Sequence, residues 1–361
     1  MMLMVNATIS IAMALDENFL YPTLVSMTSL LENKHRHTRC CFYLLYSSET
    51  LSKAARAVLL SLGEKYSKCE IILIDVSGLY NDITDNMRVS VPTYYRLSLS
   101  ALLPELDRII WLDGDTLVLH DLRDMFVIDM EGYYYRGFLD DRPDAVDEFD
   151  INNDHYICAG VLLINLKELR QDNMVEKFTA FIAENKDRLQ WQDQTVINVV
   201  GLDKTGILPI RYGIFNYLQE RENRYYSGFK NIRNYLEALR STEKYTFSEA
   251  KRAMKNPSIL HCPSKPWDCN VHVYREGLWL KYAKKTAYYT EIERHYQLNK
   301  FQWENRFRFL CKANMALLFD YLDRYTTSMR VFNYTMLVRL LGDQRYERLK
   351  TTVKNIVSER R

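Results

Sequence analysis

The sequence has no apolar stretch long enough to cross a bilayer. Its longest runs, Ile9–Leu15 and Cys40–Tyr46, fall far short of the roughly 20 residues that a membrane helix needs. No basic residue precedes the first run, and Asp16-Glu17 follows it directly. That stretch therefore reads as a first buried strand and not as a secretory signal. There is no C-x-x-C. The seven cysteines (Cys40, Cys41, Cys69, Cys158, Cys262, Cys269 and Cys311) are odd in number and irregularly spaced, as expected of reduced, packed thiols in a cytoplasmic setting. Cys262 and Cys269 lie near His261 and His272, but the spacing matches no common structural zinc site. Internal repeats and low-complexity segments are absent. Net charge is small, +2, and the 47% apolar and 26% charged residues exclude a wholly disordered chain. A length of 361 residues calls for about two domains or one large α/β unit.

What is present is an alternation. Ile9–Ala14, Cys41–Tyr46, Glu70–Val76, Arg108–Leu112 and Val161–Asn165 read as strands. Tyr21–Leu31, Leu51–Tyr66, a stretch opened by Pro92 and running through Leu103, and Met174–Asn185 read as helices. Strands separated by helical patterns predict βαβ units and an α/β fold with a largely parallel sheet. After about residue 280 the pattern becomes helical, basic and rich in aromatics, with one apolar face at Met329–Leu341 closed by Gly342. A boundary near 275 is expected, giving a domain of residues 1–275 and a helical extension of residues 276–361. Residues 281–361 carry a net +9 and residues 1–280 a net −7. Such a tail suits core helices packed on the body, an anionic membrane surface, or both. Nucleic acid is not an expected partner, because the body is acidic and no reading motif is present.

The most informative segment is Arg108-Ile-Ile-Trp-Leu-Asp-Gly-Asp115. An apolar strand ends in two carboxylates, Asp113 and Asp115, and open parallel sheets bind ligands at such ends. Two carboxylates there repel unless a cation or a proton resolves them. Carboxylates with few other ligands suit Mn²⁺ or Mg²⁺ and leave positions for diphosphate oxygens. D-x-D triplets also occur in solvated turns, so position at a strand end is what raises this one.

Four further motifs accompany it in order: Tyr94-Tyr-Arg-Leu97 before it, then Ala159-Gly-Val-Leu-Leu-Ile-Asn165, Trp191-Gln-Asp-Gln194, and His261 followed by Lys265-Pro-Trp267. Together they resemble glycosyltransferase family 8, which includes bacterial lipopolysaccharide galactosyl- and glucosyltransferases and the glycogenins. The resemblance covers roughly residues 8–285. It implies a GT-A fold with a Rossmann-like, mostly parallel sheet, a UDP-sugar donor such as UDP-glucose or UDP-galactose, a divalent metal (usually Mn²⁺, otherwise Mg²⁺), and retention of anomeric configuration. It also implies a glycan or glycolipid acceptor and a protein peripheral on the inner face of the membrane.

Residue by residue, the resemblance makes Asp113, Asp115 and His261 the metal ligands and brings the Gly114 backbone close to the donor. Ala14, Asp16, Asn18 and Phe19 match the uridine-binding segment, although Asp16 is equally an N-cap. Lys265 would meet the diphosphate, and Arg96 the donor sugar and phosphate. Asp193 and Gln194 would contact the sugar, with Gln194 near the anomeric carbon. Asp140 would stand near sugar and acceptor, although Asp141, Asp144 and Asp147 make a solvated loop a comparable account. No carboxylate sits at position 194, which favours a front-face reaction over a covalent intermediate. Cys158, with Ala159 and Gly160, stands where the family commonly has Asn, and is expected to line the sugar pocket. The His261–Lys265 loop is two residues shorter than usual and carries Pro263 in place of a glycine. A nucleotidyltransferase, a nucleotide-sugar hydrolase and a non-catalytic UDP-sugar binder are the alternatives to a hexosyltransferase.

Overall fold

The computed structural model describes residues 8–80, 91–140, 149–151, 156–185, 188–189, 191–215, 245–263, 265–267 and 276–296. Residues 1–299 form one compact unit. The second unit, residues 300–361, lies outside the described residues, as do the expected helix at Met329–Leu341, Cys269 and His272.

Among the described residues there are ten strands: β1 (Thr8–Ala14), β2 (Arg39–Tyr46), β3 (Cys69–Asp75), β4 (Arg108–Leu112), β5 (Thr116–Val118), β6 (Tyr135–Leu139), β7 (Ile157–Asn165), β8 (Thr205–Ile207), β9 (Ile214–Phe215) and β10 (Ile259–His261). Seven form one sheet in the order β3-β2-β1-β4-β7-β6-β8, and β5-β10-β9 form a small second sheet. The helices used below are α1 (Leu20–Asn33), α2 (Lys53–Lys65), α3 (Leu99–Leu102), α4 (Arg123–Phe126), α5 (Leu166–Gln171), α6 (Met174–Asn185), α7 (Gln192–Val200), α8 (Phe247–Lys255), α9 (Glu276–Ala283) and α10 (Tyr289–His295).

The central strands read as continuous apolar runs because both faces of the sheet are covered. Ile9, Ile11 and Met13 of β1 join one core cluster with Leu24, Met27 and Leu59 of α1 and α2. Ala12 turns the other way, to Trp111, Tyr94, Phe178 and Ile182. Strands β4 and β7 divide in the same alternating manner. Helix α1 is buried on nearly every side, since it lies between the large sheet and β5. Ser26 and Ser29 meet that burial with hydrogen bonds: the Val118 amide donates to Ser29 Oγ at 2.8 Å, and Ser26 Oγ lies 3.0 Å from Thr116 Oγ1.

Two features depart from the sequence reading. The strand expected at Val161–Asn165 begins at Ile157 and runs antiparallel to both β4 and β6. Its start, not its end, therefore meets the carboxyl end of β4, with Leu112 opposite Val161. The stretch opened by Pro92 is a 3-10 helix over Val91–Ser98, with α3 completing it. Within it the Thr93 carbonyl accepts from Arg96 Nε at 2.8 Å.

Helices α9 and α10 pack on α1. Trp279, Ala283 and Ile292 are buried, and Asn33 Nδ2 donates to Tyr282 Oη at 2.6 Å.

Asp121 ties the turn before β2 to the start of α4. One carboxylate oxygen accepts from the His35 amide and Thr38 Oγ1, both at 2.6 Å. The other accepts from the Arg123 amide and Nε, both at 2.9 Å. Burial alone would raise this carboxyl, but those donors hold it below the usual carboxylate range. Its contribution is thus fully present above the unfolded value and is lost as pH falls through the folded one. Asp121→Ala is expected to lower stability by about 2–4 kcal/mol at neutral pH. The difference should shrink in urea melts below about pH 4. A difference independent of pH would refute that account.

Candidate active site

The end of β4, the start of β7 and the end of β10 meet at one rim. The Asp113 amide donates to Gly160 O at 2.9 Å, and the Cys262 amide to Asp115 O at 2.9 Å. His261 is the last residue of β10, paired with Thr116 on one side and Phe215 on the other. One ligand atom from each of Asp113, Asp115 and His261 lies within 4.8 Å of the other two. His261 Nε2 stands 3.1 Å from the buried Asp115 Oδ1, an ion pair when the ring is protonated. Burial would push the His261 imidazolium down, but the Asp115 carboxylate overrides it and holds the ring well above the usual histidine range. Burial would likewise raise Asp115, and His261 keeps it low.

Arg96 organises the carboxylates. It is 2% exposed and lies 4.3 Å from the Trp111 ring. Its Nη2 donates to Asp113 Oδ1 at 2.9 Å, its Nη1 to Ala159 O, and its Nε lies 3.0 Å from Asp193 Oδ2. Trp111 Nε1 donates to the same Asp113 oxygen at 2.8 Å. Burial would lower the guanidinium, but Asp113 and Asp193 keep it charged. Burial pushes Asp193 up to about 6 against the pull of Arg96.

Helix α7 presents Asp193 and Gln194. Gln192, its first residue, has a φ of 47° and is buried, a left-handed conformation held by its surroundings. Gln194 Oε1 accepts from the Ala159 amide at 2.9 Å, and its Nε2 donates to Asp140 Oδ2 at 3.1 Å. Asn198 locks α7 to β7 through the Ile157 amide and carbonyl at 2.7 and 2.8 Å.

On the opposite side, Asp16 follows the end of β1, just beyond Ala14. It caps the turn Glu17–Phe19, accepting from the Asn18 and Phe19 amides at 3.0 and 3.2 Å. Asn18 is exposed. Phe19 meets Trp267 edge-on at 6.2 Å, and Lys265 Nζ lies 5.5 Å from the Phe19 ring. Gly114 fits because a Cβ there would fall 2.6 Å from Thr23 Oγ1. Cys158 Sγ lies 3.8 Å from His261 Nδ1, and burial pushes its thiol up. The structure thus gathers Asp113, Asp115, His261, Arg96, Asp193, Gln194, Asp140 and Cys158 around one rim. It also links Phe19 to Lys265. Trp111, Phe215 and Asn198 were not singled out from sequence. Trp111 alone had a signal, its place in the Asp113–Asp115 motif.

A sequence model of Glycosyl transferase family 8 matches residues 10–270. The chain belongs to this family. The lipopolysaccharide 1,2-glucosyltransferase of Escherichia coli is 26% identical over 239 residues, 62% of this chain and 69% of that protein. The galactosyltransferase LgtC, solved with donor and acceptor sugar analogues, superposes with a TM-score of 0.63 at 21% identity, over 77% of this chain and 96% of LgtC. The bifunctional glycosyltransferase WbbM superposes at 0.62 and 17% identity, over 81% of this chain and 52% of WbbM. These two likenesses establish the GT-A fold. As a member of family 8 the chain is a glycosyltransferase. Among the described residues, no helix is long and apolar enough to cross a membrane.

Proposed function

We propose that this family 8 chain transfers a hexosyl group from a UDP-sugar, UDP-glucose or UDP-galactose, to a glycan or glycolipid acceptor with retention of configuration. One observation carries the reading: Asp113, Asp115 and His261 converge beside Asp193, Gln194 and Asp140. Two carboxylates and an imidazole suit Mn²⁺ or Mg²⁺, and their ligand atoms, all within 4.8 Å of one another, are close enough to share one cation. A cation held by Asp113, Asp115 and His261 would supply positive charge for the donor diphosphate.

The protein groups divide the remaining work. Lys265 adds a point charge on the Phe19 side, where the leaving diphosphate gains negative charge. Asp193 and Arg96 hold sugar hydroxyls. Gln194, fixed at both ends of its amide, steadies the anomeric face and has no carboxylate to be alkylated. The bond from the anomeric carbon to UDP breaks, and the acceptor hydroxyl enters on the face UDP leaves. Its proton passes to the leaving phosphate. A glycolipid acceptor would bring the basic residues 281–361 to an anionic membrane surface.

The test is UDP release from a panel of UDP-sugars with Mn²⁺ or EDTA, for the wild type and Asp113→Asn. Slow release from one sugar is expected, lost with EDTA and at least about 100-fold lower in the variant. Release indifferent to both EDTA and the substitution would overturn the metal-dependent reading.

A further inference from the structure

The apolar groups around His261 cannot tell one ring orientation from the other. Gly160 lies against one face, so closely that a Cβ there would fall 2.3 Å from Cε1. Phe215 covers the ring from another side at 5.3 Å and 33°, and Phe138 meets it nearly perpendicular at 6.4 Å. Turning the imidazole by half a revolution would leave these apolar contacts almost unchanged. It would exchange Nδ1 for a carbon and withdraw Nε2 from Asp115. Only polar neighbours discriminate the two orientations, and on the Nδ1 side that neighbour is Cys158.

We propose that Cys158 is a positioning residue for His261, accepting the Nδ1 proton and thereby keeping Nε2 turned toward Asp113 and Asp115, where its lone pair would serve a bound cation. The inference rests on the metal-site reading above. Cys158 is 3% exposed, and its Sγ receives the Gly160 amide at 3.4 Å as well as facing His261 Nδ1 at 3.8 Å. The Gly160 amide donates to this sulfur, whose remaining lone pair is free to take the Nδ1 proton with the thiol hydrogen turned away. A histidine that ligates through Nε2 must carry its proton on Nδ1 and needs an acceptor there. No other side chain is recorded at Nδ1 among the described residues. The thiol thus acts on the metal through His261, and position 158 is tied to the ligand set as well as to the sugar side of the rim.

The test titrates Mn²⁺, and Co²⁺ followed by visible absorption, into wild type, Cys158→Val and Cys158→Ser without any sugar nucleotide. Valine keeps the packing and removes the acceptor; serine keeps an acceptor. Metal affinity is expected to fall about 10–100-fold in Cys158→Val with the cobalt spectrum altered, and to recover largely in Cys158→Ser. Wild-type affinity and an unchanged spectrum in Cys158→Val would overturn the proposal while leaving the metal site standing. No metal binding by the wild type would overturn both readings. Should Cys158→Val not fold, ¹⁵N-histidine spectra of the Zn²⁺-loaded wild type decide. The resonance missing in His261→Asn should show the proton on Nδ1, and a proton on Nε2 would overturn the proposal.

Discussion

Replacing Gly160 with alanine is expected to remove most glycosyl-transfer turnover while leaving the fold in place. The new methyl would sit 2.3 Å from His261 Cε1 and 2.9 Å from both ring nitrogens, so the ring must move. It has nowhere to retreat, because Phe215 and Phe138 stand around it and its backbone is paired on both sides in β10. Overpacking of this kind costs about 1–3 kcal/mol, which a chain with two large core clusters can absorb. A displacement of about 1 Å at a reacting centre costs on the order of 100-fold in rate, and at least that loss is expected. Kinetics, Mn²⁺ titration and a thermal melt of the same sample check it. Gly277→Ala is the control, since a Cβ there meets nothing within 4 Å. Turnover within tenfold of wild type in Gly160→Ala would show that His261 is not confined as described.

The second large effect is expected at Arg96. Its guanidinium is the shared cation of Asp113 and Asp193 and also serves the Thr93 and Ala159 carbonyls. Removing one partner of a buried ionic group costs about 3–5 kcal/mol, because the other charges remain. Arg96→Met should lose stability on that scale in urea melts. Asp193, already at about 6 with the guanidinium present, loses its main lowering influence and rises further. Residual activity should therefore need a more alkaline pH than wild type. Arg96→Lys should fall between the two, since one ammonium cannot reach four acceptors in the fork geometry that a guanidinium offers. A methionine variant that melts with the wild type and keeps its pH profile would rule out the shared-cation account.

Most of the sheet was legible because burial on both faces writes itself as apolar runs. Met174–Asn185 and β4 were located to the residue, and β1 nearly so. The direction of β7 was not legible, because alternation of strands and helices carries no sign for a single reversed strand. The 3-10 geometry of Val91–Ser98 was hidden for a similar reason, since Pro92 opens either kind of helix. At the site, the gathering of Asp113, Asp115 and His261 followed from motif order. The service of Arg96 to two carboxylates did not, because it depends on α7 lying beside the 3-10 helix, a relation between segments almost a hundred residues apart. Asp16 was expected to cap the helix at Tyr21–Leu31; it caps the short 3-10 turn Glu17–Phe19 that precedes that helix, where the Asn18 and Phe19 amides are free.

The aromatic contacts around Trp267 also bear on the order in which the protein is built. Trp267 stacks near Trp279 of α9 at 5.4 Å and near Tyr296 beyond α10 at 6.1 Å. A ribosome delivers the loop carrying Lys265 before either helix that covers it. Until α9 and α10 emerge, Trp267 lacks its contacts with Trp279 and Tyr296, whereas Phe19, which leans on Trp267, was synthesised long before. The side of the rim shared by Phe19 and Lys265 is therefore completed only after α9 and α10 have been made, although one of its residues is among the first to be made.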